Sequence, residues 1–239
     1  AVIAPTTFPI LMQSSDDYYE NWIVASVIRM ARLVGVFITA LLPALYISVT
    51  AFHPDMIPLN LVLSITDSRT GVPFPAFVEA LLMVFTLELL QEAGIRLPRV
   101  VGETVSIVGG LVIGQAAVQA RIVSPIMVIV ISITAVSSFV VPDYSLGLAL
   151  RAARIPFIFL AVTLGIFGVA MGLIAGLIYM ASLKSFGLCY LEPISTYYPS
   201  DWKDSLIRAP MRSMRKRPEE MQPEDPIRIG SRREGKKVE

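Results

Sequence analysis

Two pairs of polar side chains stand out in an otherwise apolar chain: Glu88 with Glu92, and Gln115 with Gln119, each pair one helical turn apart. The two carboxylates share a helix face with Gln91 and suit the attraction of cations, because acids inside membrane helices face protein or water and mark ion paths. They equally suit an interfacial helix whose acids sit in solvent. Paired amides can line a hydrated passage or act as hydrogen-bonding glue between helices. The residues alone leave both alternatives open. Other chemistry is thin. Cys189 is the single cysteine and His53 the single histidine, which excludes an intrachain disulfide, a thiolate cluster and a histidine metal site. No phosphate-cradling glycine loop, dinucleotide fingerprint or catalytic constellation occurs, so the expectation is a non-enzyme without metal or cofactor and without a nucleic-acid partner.

The amides sit in SIVGGLVIGQAAVQA, residues 106–120, which carries no charge. On a helical wheel Ser106, Gly110, Gly114 and Ala117 fall within roughly 80° of one another, whereas Gln115 and Gln119 lie roughly 180–220° from Ser106. The small face suits close packing against another helix, and the amide face lies opposite. The carboxylates sit in FVEALLMVFTLELLQEAG, with Glu79 and Thr86 turned away from Glu88 and Glu92. A charge at the bilayer centre costs roughly 2.5–3.5 kcal/mol. Three acids therefore argue against a simple lipid-surrounded span and favour an amphipathic, re-entrant or pore-associated helix over 77–93.

The elements around these residues belong to a membrane protein. Of 239 residues, 54% are hydrophobic and only 16% charged, and the mean hydropathy is +0.66. The excess lies in several runs, which a removable leader does not explain. The fold class expected is all-α: a polytopic membrane helix bundle of about four spans (22–50, 102–121, 124–141 and 155–181) plus the helix at 77–93. Arg29 and Arg32 snorkel to headgroups and mark the entry side as cytoplasmic. Arg69, Arg96, Arg99, Arg151 and Arg154 then fall on the outer side, against the positive-inside rule, and five spans with an external tail is the alternative.

Three regions follow: a membrane-proximal linker (1–21), a transmembrane domain (22–183) and a basic cytoplasmic tail (184–239), partly disordered. Within the tail, Arg208, Arg212, Arg215, Lys216 and Arg217 favour anionic lipid headgroups. The opening AVIAPTTFPI, without methionine, suggests a fragment whose N-terminal part is missing.

The phrases GVPFPAFVEALLM…ELLQEAGIRLP, VSIVGGLVIGQAAVQARIVSPIMVIVISITAVSSFVVP, SLKSFG and DWKD…RAP closely resemble the A subunit of GerA-type spore germination receptors, from near residue 1 to about Pro218. SSDDYYENW and FHPDMIP resemble the flanks of that family's first span. The resemblance implies an integral protein of the spore inner membrane. It also implies a transporter-like B subunit that binds the germinant, a lipoprotein C subunit, and a homo-oligomeric ring that conducts ions when nutrient is sensed. It further implies a soluble domain ahead of the first span. Two positions depart from the family pattern: Val84, where an acid is common, and Cys189, where proline is usual. A related spore membrane protein that amplifies germination and a non-conducting scaffold of receptor clusters are the alternative expectations.

Overall fold

Apolar runs opened by proline become helices, since proline lacks an amide hydrogen that the first turn does not need. Pro125 opens one such helix while the Ser124 hydroxyl accepts from the Met127 amide at 3.3 Å. The computed structural model describes residues 6–96, 98–195, 202–205, 207–210, 214, 217 and 227, without the side chains of 99–101 and 103–108. The Ser106 side chain, Arg212, Arg215 and Lys216 thus lie outside the described residues. The helices are α1 (Phe8–Met12), α2 (Trp22–Phe52), α3 (Leu59–Ser68), α4 (Ala76–Arg96), α5 (Arg99–Gln119), α6 (Pro125–Phe139), α7 (Tyr144–Ser182) and α8 (Trp202–Ser205). A small antiparallel hairpin pairs β1 (Lys184–Ser185) with β2 (Leu188–Cys189). By length and composition, α2 and α7 could each cross a membrane.

The chain divides into two units: 1–34 with 141–144 and 175–239, and 35–140 with 145–174. Contacts within the second unit set the helix directions. A Cβ built on Gly102 would sit 2.5 Å from the Gly94 carbonyl, and one on Gly109 would sit 2.8 Å from the Leu90 side chain, so α4 and α5 form a close antiparallel pair. Glu79 meets Ser124 and Gln91 meets Ser138, so α4 and α6 run parallel. Thr39 meets Arg154, and Phe52 meets Gly165, so α2 and the first half of α7 also run parallel. Opposite to that half runs α4: Glu88 meets Arg151, while Ala80 and Val84 share an apolar cluster with Ile158 and Ala161.

The long last span expected over 155–181 is not one helix. Gly165 has φ 62° and ψ −144°, a conformation that side chains with a Cβ avoid. Beyond it Gly168 lies against Leu160, and a Cβ on Gly172 would sit 3.0 Å from the Phe157 ring. In a straight helix, fifteen residues would separate 157 from 172 by about 22 Å. The chain therefore folds back at Gly165 into two antiparallel halves, 144–164 and 166–182. Gly165→Ala should lower the midpoint of thermal unfolding, by about 1–3 kcal/mol in stability, because Phe52 and His53 also crowd the missing Cβ at 3.2–3.3 Å. An unchanged melt in detergent would contradict this turn.

The second unit buries small and polar groups among large apolar ones such as Ile47, Met127 and Ile158, and it also exposes large apolar side chains. Ala40, Ala44, Ala80 and Ala161 lie in its core beside buried Thr39, Glu79, Thr134 and Arg154, whereas Phe85, Leu89, Phe139, Phe159 and Phe167 are exposed. Small residues let helices approach, and outward aromatic and aliphatic groups suit lipid.

Candidate functional site

The acids of α4 are held by arginines. Glu79 is fully buried; its Oε1 accepts from Arg69 Nη2 at 3.1 Å and its Oε2 from the Ser124 amide at 2.9 Å. The carboxylate thus ties the start of α6 to the residue that ends α3. One face further along, Arg151 Nη1 reaches Glu88 Oε1 at 3.2 Å and Gln91 Oε1 at 3.3 Å, and Gln91 Nε2 donates to Ser138 at 3.0 Å. Glu88, Gln91, Ser138 and Arg151 form a polar chain across three helices. Glu92 turns instead to Arg96, 2.6 Å away and one turn on. Glu88 and Glu92 therefore share a helix face in the wheel but not an ionic partner.

Arg151 and Arg154, read as outer-side loop residues, lie inside α7 and are buried. The helix starts eleven residues before the expected span, since its first turns bury arginines against other helices rather than against lipid. Arg154 is 0% exposed, and its Nε donates to the Thr39 carbonyl at 3.0 Å.

The small face of α5 borders a groove of about 650 Å³ between α4, α5 and α6, with Gln91 among its otherwise mainly apolar lining. Gly114 is buried, with Val128 3.5 Å from the place its Cβ would take, but nothing lies within 4 Å of that place at Gly110. Gly110 is exposed and so is not packed within this chain; the close approach falls one residue earlier, at Gly109. Ala117 is half-buried, and its carbonyl accepts from the Ile122 amide at 2.9 Å, closing the end of α5. Gln115 and Gln119 are both exposed, and among the described residues neither side chain makes a hydrogen bond.

A second polar cluster lies in the first unit. Asp17, 2% exposed, accepts on Oδ2 from Arg32 Nη1 at 2.7 Å, Arg29 Nε at 3.2 Å and the Ser14 amide at 3.3 Å. Arg29 also reaches Asp204, at 2.5 Å to the carbonyl and 3.3 Å to the carboxylate. Arg208 donates to the carbonyls of Asp17, Tyr18 and Glu20, and its guanidinium and that of Arg29 both lie over the Tyr18 ring, 5.1 and 5.6 Å from its centroid. Two expectations are corrected here. Arg29 and Arg32 do not snorkel, because a buried carboxylate holds them, and Arg208 is spent on backbone carbonyls with 6% exposure rather than offered to headgroups. Arg217 is exposed.

Sequence reasoning passed over Asp17, Glu79 and Arg154 as site residues. The signal for the first was present: acids just ahead of an apolar helix whose first turns carry two arginines of opposite sign. Arg154 gave no comparable signal, since Thr39 lies far along the chain, and Glu79 is met both by Arg69 from the preceding turn and by the distant Ser124 amide.

The family model described as "Bacillus/Clostridium GerA spore germination protein" matches residues 1–220. The chain is 46% identical to "Spore germination protein B1" of Bacillus subtilis (strain 168) over 228 residues, 95% of this chain and 47% of that protein. It is 43% identical to "Spore germination protein GerLA" of Bacillus cereus over 94% of this chain and 46% of that protein. It is 45% identical to the "Uncharacterized membrane protein YfkQ" of Bacillus subtilis (strain 168), over 90% of this chain and 42% of that protein. The chain spans about half the length of the curated relatives it matches. No solved structure matches it.

Proposed function

Because the chain belongs to the GerA family of spore germination proteins, we propose that it supplies the membrane part of a nutrient-responsive germination receptor and helps to form or gate an ion pathway. The observation that carries this reading is the amide face of α5. Gln115 and Gln119 are exposed and unbonded among the described residues, on a stretch with no charge from 106 to 120. Amides facing lipid are costly, so that face is met by water or by another subunit. A homo-oligomer with α5 turned to its axis satisfies both. Transporter-like B and lipoprotein C partners and a spore inner-membrane location accompany this reading.

The helix directions favour six crossings over four: α2, α4, α5, α6 and the two halves of α7. An even number returns the chain to the side from which it started. Arg96, Arg99 and Arg151 then lie at the same side as Arg29 and Arg32, while the opposite turns carry only Arg69 and Arg121. That distribution obeys the positive-inside rule, which four crossings violate. At fifteen residues α6 is short for a span, but Ile122, Val123, Val140 and Val141 extend it with apolar flanks.

A second reading, a non-conducting scaffold, draws on the pairing of Glu88 with Arg151 and Glu92 with Arg96, which leaves neither acid uncompensated. Spores carrying the full-length protein with Gln115→Leu and Gln119→Leu together separate the two. Cation release on nutrient exposure should fall by an order of magnitude or more (about 1.4 kcal/mol per tenfold) at unchanged protein level. Normal release would remove the lining role.

A further inference from the structure

Phe186 stands where a turn would better accept asparagine. Lys184 pairs with Cys189 and Ser185 with Leu188, so Phe186 and Gly187 are the two central residues of a tight hairpin turn. Both have positive φ, 51° and 90°. Such turns favour Asn-Gly or Asp-Gly, and a bulky side chain at positive φ is strained. Packing within the chain does not offset that strain, because Phe186 is 85% exposed, more than any other phenylalanine among the described residues. The hairpin itself is held in place. The Thr6 amide donates to Ser185 Oγ at 3.3 Å, and the Phe8 amide donates to the Tyr190 carbonyl at 2.7 Å. A tethered hairpin thus presents a strained phenyl ring outward.

The rest of the first unit indicates what meets that ring. Phe186 lies four residues beyond Ser182, where α7 ends, and Ile178 and Tyr179 in the last turns of α7 are each 64% exposed. Besides Phe186, the exposed aromatic residues of this unit are Tyr18, Tyr19, Trp22, Tyr144, Tyr179 and Trp202. In the second unit every exposed aromatic residue among those described is phenylalanine. Tyrosine and tryptophan collect at the headgroup level of a membrane, where the ring meets lipid and the polar tip meets water. The first unit therefore has the composition of an interfacial belt. Lys184, exposed two residues before the ring, adds a positive charge of the kind that anionic headgroups attract.

We propose that the β1–β2 hairpin is a membrane-surface anchor, which inserts Phe186 at the boundary of headgroups and acyl chains and sets Lys184 among anionic headgroups. Removing the ring from water offsets the strain of the turn. The anchor rests on the membrane reading of α7 but not on any ion pathway. Through Thr6 and Phe8 it also ties the segment ahead of α2 to the membrane surface.

Fluorescence quenching of the full chain in vesicles of phosphatidylcholine and phosphatidylglycerol tests the anchor. In a Cys189→Ser background, a fluorophore on Phe186→Cys should lose most of its emission to lipid carrying a doxyl group near the headgroup, and little to aqueous iodide. The same fluorophore on Ile178→Cys reports on α7. Lipid quenching at Ile178→Cys with iodide quenching at Phe186→Cys would overturn the anchor and leave the membrane reading of α7 standing. Iodide quenching at both would remove that reading and the anchor with it. Shielding of Phe186→Cys from both quenchers would place the ring against protein, which also overturns the anchor. Phe186→Asn separates anchoring from folding. Its melting temperature in detergent should be unchanged or higher, since asparagine suits the turn. In vesicles, trypsin should nevertheless cut after Lys184 several-fold faster than in the wild type. A lower melting temperature with unchanged cutting would show that Phe186 serves the fold, and would overturn the anchor.

Discussion

Replacing Asp17 with alanine is expected to destabilise the chain by about 3–5 kcal/mol, the range for removing one partner of a buried ion pair. The side chain is 1% exposed and Arg29 and Arg32 are 3% and 10% exposed, so its loss strands two buried guanidinium groups together. It also frees the Ser14 amide. Asp17→Asn keeps one acceptor but no charge and should fall between the two. The same residue sets a response to acid. Burial alone would raise the Asp17 carboxyl, but the hydrogen bonds from Arg32, Ser14 and Arg29 and the Arg32 charge outweigh it and hold the group below its usual 3.8. A carboxyl depressed in the folded state contributes stability that is full above the unfolded value and is lost as pH falls through the folded one. Contacts of Asp204 and Arg208 with the start of α2 should therefore persist through mild acid and give way only below pH 3.8. Protease cleavage within 202–208, followed against pH in the wild type and in Asp17→Ala, checks both expectations. Equal protection of the variant and the wild type at neutral pH would contradict them.

Arg69→Ala should cost about 2–3 kcal/mol, somewhat under the fully buried range because the Arg69 side chain keeps 24% exposure. Its loss leaves the Glu79 carboxylate, at 0% exposure, with only the Ser124 amide. The diagnostic is a double-mutant cycle. In a Glu79→Gln background the charge that needs Arg69 is gone, so the same Arg69→Ala change should cost less than 1 kcal/mol, at about surface-pair level. A full loss in that background would show that Arg69 acts through packing rather than through Glu79.

These two residues mark where the sequence stopped being legible. Apolar runs placed α2 and α6 nearly to their ends, α6 with proline at its start, because hydropathy and helix initiation are local properties. The two faces of 106–120 were also readable, since a wheel needs only spacing. What spacing cannot give is a partner. Glu79 looked like a stray acid on the wrong face of α4 until Arg69 and the Ser124 amide met it. Arg151 and Arg154 looked like loop residues because charge ends a hydropathy run even where a helix continues. The turn at Gly165 was hidden among Gly165, Gly168, Gly172 and Gly176. Any of the four permits a positive φ, and only the packing of Phe157 and Leu160 against Gly168 and Gly172 selects the one that adopts it.

The exposed amides of α5 carry the central proposal, that α5 presents Gln115 and Gln119 to an ion pathway. Conductance of the full-length protein reconstituted in a planar bilayer tests this most directly. The wild type should give cation-conducting steps, and the Gln115→Leu, Gln119→Leu protein should give steps of lower amplitude or none. Silent bilayers with folded, inserted wild-type protein, or identical steps from the double variant, would contradict it.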